Sequence, residues 1–145
     1  MEKIILILPL LLGFIIGFFY KPSNYYKNLK KPYIPSGIVF SIVWFILYIL
    51  IGISYYIALK NKPLIYWILP IVHLILNLIY TPLLFGYNEL LLSSFVILLT
   101  LISAIMLMIL FYNYDKSHIS YKLLIPYIIW LIYANYLSWS VYSLN

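Results

Sequence analysis

Long apolar runs alternate with short polar breaks along this 145-residue chain. The runs cover residues 4–20, 38–59, 64–85, 90–111 and 123–144. Each is close to the roughly 20 residues with which a helix crosses a hydrocarbon core of about 30 Å. Several breaks are clusters of helix-ending residues: Lys60-Asn61-Lys62-Pro63, Gly86-Tyr87-Asn88-Glu89 and Asn113-Tyr114-Asp115-Lys116. The pattern predicts an all-α membrane protein, a bundle of five transmembrane helices in a single domain over residues 1–145. Five spans with short loops use the chain up, so no separate soluble domain fits.

The longest polar segment is 21–37. It carries Lys21, Lys27, Lys30 and Lys31 with Pro22, Pro32 and Pro35, and Tyr25, Tyr26 and Tyr33. Proline removes a backbone donor and disfavours helix in the residue before it. The segment therefore reads as an ordered loop or a short interfacial helix, with tyrosines and lysines at the headgroup layer. The first run, between Lys3 and Lys21, has the layout of a signal peptide. It ends in Phe18-Phe19-Tyr20-Lys21 without a small-residue cleavage pattern, which favours a retained span. Within it, Gly13 and Gly17 form a GxxxG pair of the kind that lets helices approach closely, a route to a homodimer. Chance occurrence in so apolar a run is the competing explanation.

Composition strengthens the membrane reading. Hydrophobic residues make up 66% of the chain and charged ones 8%, against about half and about a quarter in soluble domains. Lipid, not water, is the solvent that such a surface requires. All nine basic residues are lysines at loops and ends, a placement that suits anionic headgroups. No basic stripe follows a helix, so nucleic acid is not an expected partner. Lys3, Lys60, Lys62, Lys116 and Lys122 fall on one side and the four first-loop lysines on the other, so the positive-inside rule assigns no orientation. Cysteine is absent, which excludes disulfides and thiol chemistry.

Polar residues inside a span are costly and are candidates for function. His73, Asn77 and Thr81 recur every fourth residue and share a helical face, with Tyr80 one turn from Asn77. That face serves either as interhelical glue or as the polar floor of a ligand pocket. In the fifth run, Tyr127, Trp130, Ala134 and Leu137 share a face, and the small Ala134 leaves room beside the Trp130 ring. An aromatic wall beside a gap suits a flat apolar ligand, although packing against a neighbouring helix uses the same residues. Trp67 and Trp139 lie nearer span ends and read as interface anchors. The acids Glu2, Glu89 and Asp115 sit at ends or turns, where water is expected to solvate them. No carboxylate pair, metal-ligand cluster, activated nucleophile or phosphate-cradling loop is present, so conventional hydrolysis or phosphoryl transfer is not expected and no metal site is assigned.

Three stretches resemble the translocator protein, or tryptophan-rich sensory protein (TspO/MBR), family. The first is Tyr25-Tyr26, Leu29, Lys31-Pro32 and Pro35, then Val39-Phe40, Trp44, Leu47-Tyr48 and Gly52. The second is Leu76-Asn77, Tyr80, Thr81-Pro82 and Phe85-Gly86. The third is Leu123-Leu124-Ile125-Pro126-Tyr127-Ile128-Ile129-Trp130, then Ala134, Leu137 and Asn145.

The resemblance implies five transmembrane helices enclosing a pocket that opens towards the first loop. It implies a ligand of porphyrin type, protoporphyrin IX or haem, or another flat apolar molecule, with no cofactor required. Carried over residue by residue, Pro35, Trp44, Tyr48, Asn77, Tyr80, Trp130 and Ala134 are expected ligand-binding positions, and Tyr127 joins them from the helical face of the fifth run. A sensory, carrier or tetrapyrrole-homeostasis role follows. The alternatives are light- and oxygen-dependent porphyrin breakdown, with Trp44 and Trp130 as redox partners, and small-molecule transport. The expected location is a multi-pass position in the cell membrane of a prokaryote, or in a mitochondrial or other organelle membrane of a eukaryote. The sequence departs from the family pattern where Tyr25, Tyr33 and Tyr80 replace tryptophans and His73 replaces glutamine.

Overall fold

Prolines and asparagines set the punctuation of the chain. The computed structural model describes residues 2–145. Pro9 occupies the first turn of α1 (Leu8–Phe19), where a missing N–H costs nothing. The residues ahead of it, Glu2–Leu6, wind as a 3-10 helix. The stretch expected as one uniform span over 4–20 is therefore two pieces, because proline starts a new helix. A single turn, α2 (Asn24–Lys27), follows, with the Ser23 hydroxyl accepting from the Tyr26 amide as its N-cap. The first loop thus holds a short helix, one of the two forms expected for it.

Four further segments are long and apolar enough to cross a membrane. The first is α3 (Gly37–Leu59). The second begins as a 3-10 helix at Leu64–Trp67, becomes α4 (Ile68–Thr81) and finishes as a π-helical turn over Pro82–Gly86. Pro70 lies in the first turn of α4 and is tolerated there; Pro82 marks the change to the wider turn. The third is α5 (Leu90–Tyr114). The fourth joins the short α6 (Ser120–Leu123) to α7 (Ile125–Leu144). No strand occurs among the described residues. Asn61, Asn88 and His118 adopt left-handed backbone angles, φ 61°, 56° and 57°, one in each turn between the last four segments.

The bundle is apolar on its outside and buries a set of polar side chains within its apolar core. Ile42, Phe45, Ile75, Ile79, Ile102 and Ile129 stand exposed, while Ser54, His73, Asn77, Ser94, Thr100 and Ser138 are buried. Only hydrocarbon around the bundle makes that arrangement favourable, since lipid offers no hydrogen bonds to polar groups. Along α5 the buried positions Ser93, Ile97, Thr100, Ala104, Leu107 and Phe111 recur every three or four residues. Their small members let neighbouring backbones come close. Helices α3, α1, α4, α5 and α7 neighbour one another in that order, and α3 meets α7 again to close the ring.

Contacts at the two ends fix the up-and-down topology. At one end Ser23 donates to Asn88 at 2.7 Å, and Lys30 and Asn145 exchange hydrogen bonds, so the first loop, the 86–89 turn and the end of α7 lie together. At the other end Tyr66 packs edge-on against Tyr114 at 4.9 Å, and Ser54 donates to Ser120 O at 2.7 Å.

One expectation is corrected here. Asp115 is not solvated but buried, at 8% exposure. Its carboxylate accepts from the amides of Ser117, Ile119 and Ser120 and from the Ser117 hydroxyl, which ties the turn between α5 and α6. Burial by itself would raise its pKa, but these hydrogen bonds outweigh it and hold the group at about 2. Glu89 is exposed as expected, and the Glu2 side chain lies outside what is described. Of the GxxxG pair, Gly13 serves a close approach within the chain. A Cβ there would run into the Tyr48 ring of the same chain, whereas one at Gly17 would meet nothing within 4 Å. Gly13 brings α1 onto α3.

Candidate functional site

Two aromatic stripes face each other across the bundle. On α3, Phe40, Trp44 and Tyr48 recur every fourth residue; on α7, Tyr127 and Trp130 lie one turn apart. Phe40 meets Trp130 edge-on, with ring centroids 5.3 Å apart. Trp44 meets Tyr127 edge-on at 6.3 Å and leans on Tyr48 at 5.4 Å. The helices thus pair antiparallel through side chains, each indole held by rings from both helices or by its own helix. Tyr127 is fully buried, and Trp44 and Trp130 are half-buried. Ala134 is buried one turn beyond Trp130.

Beneath these rings lies a hydrogen-bonded chain. Tyr48 Oη donates to Asn77 Oδ1 at 2.9 Å. Asn77 Nδ2 donates to Tyr127 Oη, which is also 2.9 Å from His73 Nε2. His73 Nδ1 lies 2.6 Å from Ser103 Oγ, and Ser103 in turn donates to Thr100 O. Side chains of α3, α4, α7 and α5 are joined in one network. His73 and Asn77 therefore do share an inward face, and Thr81 is half-buried where α4 gives way to the π-helical turn.

The other expected positions lie apart from this group. Tyr80 hydrogen-bonds Ser138, which pairs with Ser94 at 2.9 Å, a second polar cluster between α4, α7 and α5. Pro35 is half-buried just ahead of Ser36, the cap of α3, at the loop end of the aromatic stripe. Trp139 packs edge-on against Phe95 at 5.2 Å on the outer side of α5 and α7. An open groove of about 610 Å³ runs beside it, lined by Leu98, Leu101, Ile132 and Tyr136 among others. None of the eight expected binding residues lines that groove.

Sequence reasoning passed over three participants. Phe40 carries no polar signal and belongs to a longer apolar motif, yet it is the α3 ring in contact with Trp130. Ser103 is one of several small polar residues in α5, and only its partner His73 singles it out. Asn135 is buried, donating to Ile97 O and Leu131 O, at a position that no face pattern marked. Among the described residues, the buried Trp130 Nε1 has no hydrogen-bond partner. No group of three or more potential metal-ligating side chains occurs among them either.

The profile of the TspO/MBR family matches residues 5–143. The chain belongs to this family. It is 34% identical over 140 residues to the tryptophan-rich protein TspO of Bacillus cereus, covering 89% of this chain and 90% of that protein. It is 32% identical over 138 residues to protein CrtK of Rhodobacter capsulatus, covering 89% and 83%. A translocator protein homolog of Schizosaccharomyces pombe is 32% identical over 149 residues, with 96% and 88% covered. Family membership and the apolar helices together make this a multi-pass integral membrane protein. Within the family frame, Trp44 and Trp130 are the tryptophans turned towards each other's helix, and Trp67 and Trp139 lie nearer the ends of their segments.

Proposed function

We propose that this protein binds a porphyrin, protoporphyrin IX or haem, or another flat apolar molecule, between α3 and α7, in a sensory, carrier or tetrapyrrole-homeostasis role. The observation that carries the reading is the pair of half-buried indoles, Trp44 and Trp130, together with the buried Trp130 Nε1–H that lacks an acceptor. An unpaired buried donor costs about 1–3 kcal/mol. A ligand oxygen or nitrogen placed there would recover that energy. The surrounding rings add about 0.5–1.5 kcal/mol per aromatic pair beyond burial. Phe40, Tyr48, Tyr127 and Ala134 complete the wall, Pro35 stands at its loop end, and Asn77 supplies an amide below. Tyr80, bonded to Ser138, would act from the side of α4.

Adding protoporphyrin IX to the detergent-solubilised protein is expected to quench its tryptophan fluorescence. The double variant Trp44→Phe with Trp130→Phe is expected to lose most of the affinity. Unchanged affinity in that variant removes the pocket assignment. The same titration under light and oxygen separates binding from breakdown, because breakdown alone erases the porphyrin absorption band and yields a new product.

A further inference from the structure

We infer that His73 is a positioning residue, which sets the attitude of the Trp44 ring through Tyr127 by linking four helices in a one-way chain of hydrogen bonds. The direction of the chain follows from counting protons. The Ser103 hydroxyl has one proton, and it is committed to Thr100 O at 2.9 Å. With that proton placed there, its oxygen accepts from His73 Nδ1, 2.6 Å away. A neutral imidazole with its proton on Nδ1 has Nε2 free to accept. Tyr127 Oη donates to it at 2.9 Å. With that proton committed, Tyr127 receives from Asn77 Nδ2, which leaves Asn77 Oδ1 to accept from Tyr48 Oη. In this sense of the chain every bond has one donor and one acceptor.

The chain matters to Trp44 because both tyrosines that flank this indole belong to it. Tyr48 lies against one side at 5.4 Å and 32°, and Tyr127 meets it edge-on at 6.3 Å and 70°. His73 stands edge-on to Tyr127 at 5.5 Å and is itself 1% exposed, so it acts on Trp44 through the phenol and touches no ligand. Leucine at 73 would leave the Tyr127 hydroxyl without an acceptor. Alanine at 103 would leave Nδ1–H without one, which favours moving the proton to Nε2. Tyr127 would then face two donors, His73 and Asn77, and turn away. Glutamine offers an acceptor and a donor from one side chain, and so can keep the sense of the chain.

The test uses the full-length protein labelled with 5-fluorotryptophan, its Trp44 resonance assigned by Trp44→Phe. In ligand-free protein, His73→Leu and Ser103→Ala are expected to shift or broaden the Trp44 resonance while those of Trp67 and Trp139 stay in place. Affinity for protoporphyrin IX is expected to fall about tenfold in both, and His73→Gln to restore resonance and affinity. Ser103→Ala alone decides the matter where His73→Leu fails to fold. A Trp44 resonance that stays put while the melting temperature drops would reduce His73 to glue between helices and overturn the inference. So would a glutamine variant as disturbed as the leucine one. The affinity arm rests on the proposed porphyrin pocket; the ligand-free resonance does not, so loss of porphyrin binding in the parent sinks the pocket while the resonance still judges His73.

Discussion

The Asn145 side chain grips the backbone of Lys30 in both directions. Its Nδ2 donates to Lys30 O at 2.9 Å and its Oδ1 accepts from the Lys30 amide at 3.1 Å. A second bond from Nδ2 to Val141 O, at 2.7 Å, holds the amide upright on α7. One asparagine thus fastens the first loop to the end of the fifth segment, while Ser23 and Asn88 fasten the loop's other end at 2.7 Å.

Asn145→Ala is expected to release the first loop without disturbing the bundle. Each lost hydrogen bond weakens local protection by about 1 kcal/mol. Hydrogen exchange of a peptide spanning residues 24–33 should speed up by about fivefold or more, with peptides from α5 unchanged. Equal exchange in variant and parent would show that the grip is not formed in solution.

Glycine substitutions separate three sites that look alike in sequence. A methyl at Gly52 would collide with the Leu6 backbone, which cannot move aside, and one at Gly13 would press on the Tyr48 ring. Overpacking of this kind costs about 1–3 kcal/mol. Gly52→Ala is expected to lower the thermal midpoint in detergent most, Gly13→Ala less, and Gly17→Ala not at all. A Gly17→Ala effect as large as that of Gly52→Ala would refute the packing of α1 and the 3-10 helix on α3.

Tyr48→Phe tests the near end of the polar chain. It removes the donor to Asn77 Oδ1 while keeping the ring beside Trp44. Interhelical bonds in membrane proteins contribute about 0.6 kcal/mol on average and seldom more than about 1.7. A loss of about 1 kcal/mol in reversible unfolding is expected; under the proposed porphyrin pocket, much of the affinity is expected to stay because the aromatic surface does.

Acid stability should report Asp115. Its folded pKa of about 2 lies below the ordinary 3.8, so its contribution is present above pH 4 and disappears as the pH falls towards 2. Asp115→Asn is expected to lower the midpoint at neutral pH, because four donors converge on the carboxylate. Between pH 4 and 2 the variant and parent midpoints should converge. Parallel curves over that interval would show that the carboxylate is not held this way.

The spans are legible from apolar length and the inward polar face from helical period. Lipid demands unbroken apolar length, and a helix repeats every 3.6 residues, so His73 and Asn77 declared a common side before any contact was known. The cross-helix contacts were not legible. Phe40 reaches Trp130, and Ser103 reaches His73, only through the order in which helices stand around the ring. Asp115 was misread because an acid in a turn ordinarily meets water, whereas here backbone amides two to five residues later curl back onto it. The split of the first run followed from Pro9, which hydropathy alone ignores.

That split also shapes the membrane. Five residues of 3-10 helix rising about 2 Å each and twelve of α-helix rising about 1.5 Å each give the first segment a height of about 28 Å, whereas the 25 residues of α5 reach about 37 Å. Phe14, Phe18 and Phe19 face outward on the shorter side. A short segment is met by local thinning of the bilayer or by snorkelling of flanking residues, at a cost of fractions of a kcal/mol per Å. Bilayer thickness is therefore a variable to which the stability of this protein is expected to respond, through the short side at α1 before the long one at α5.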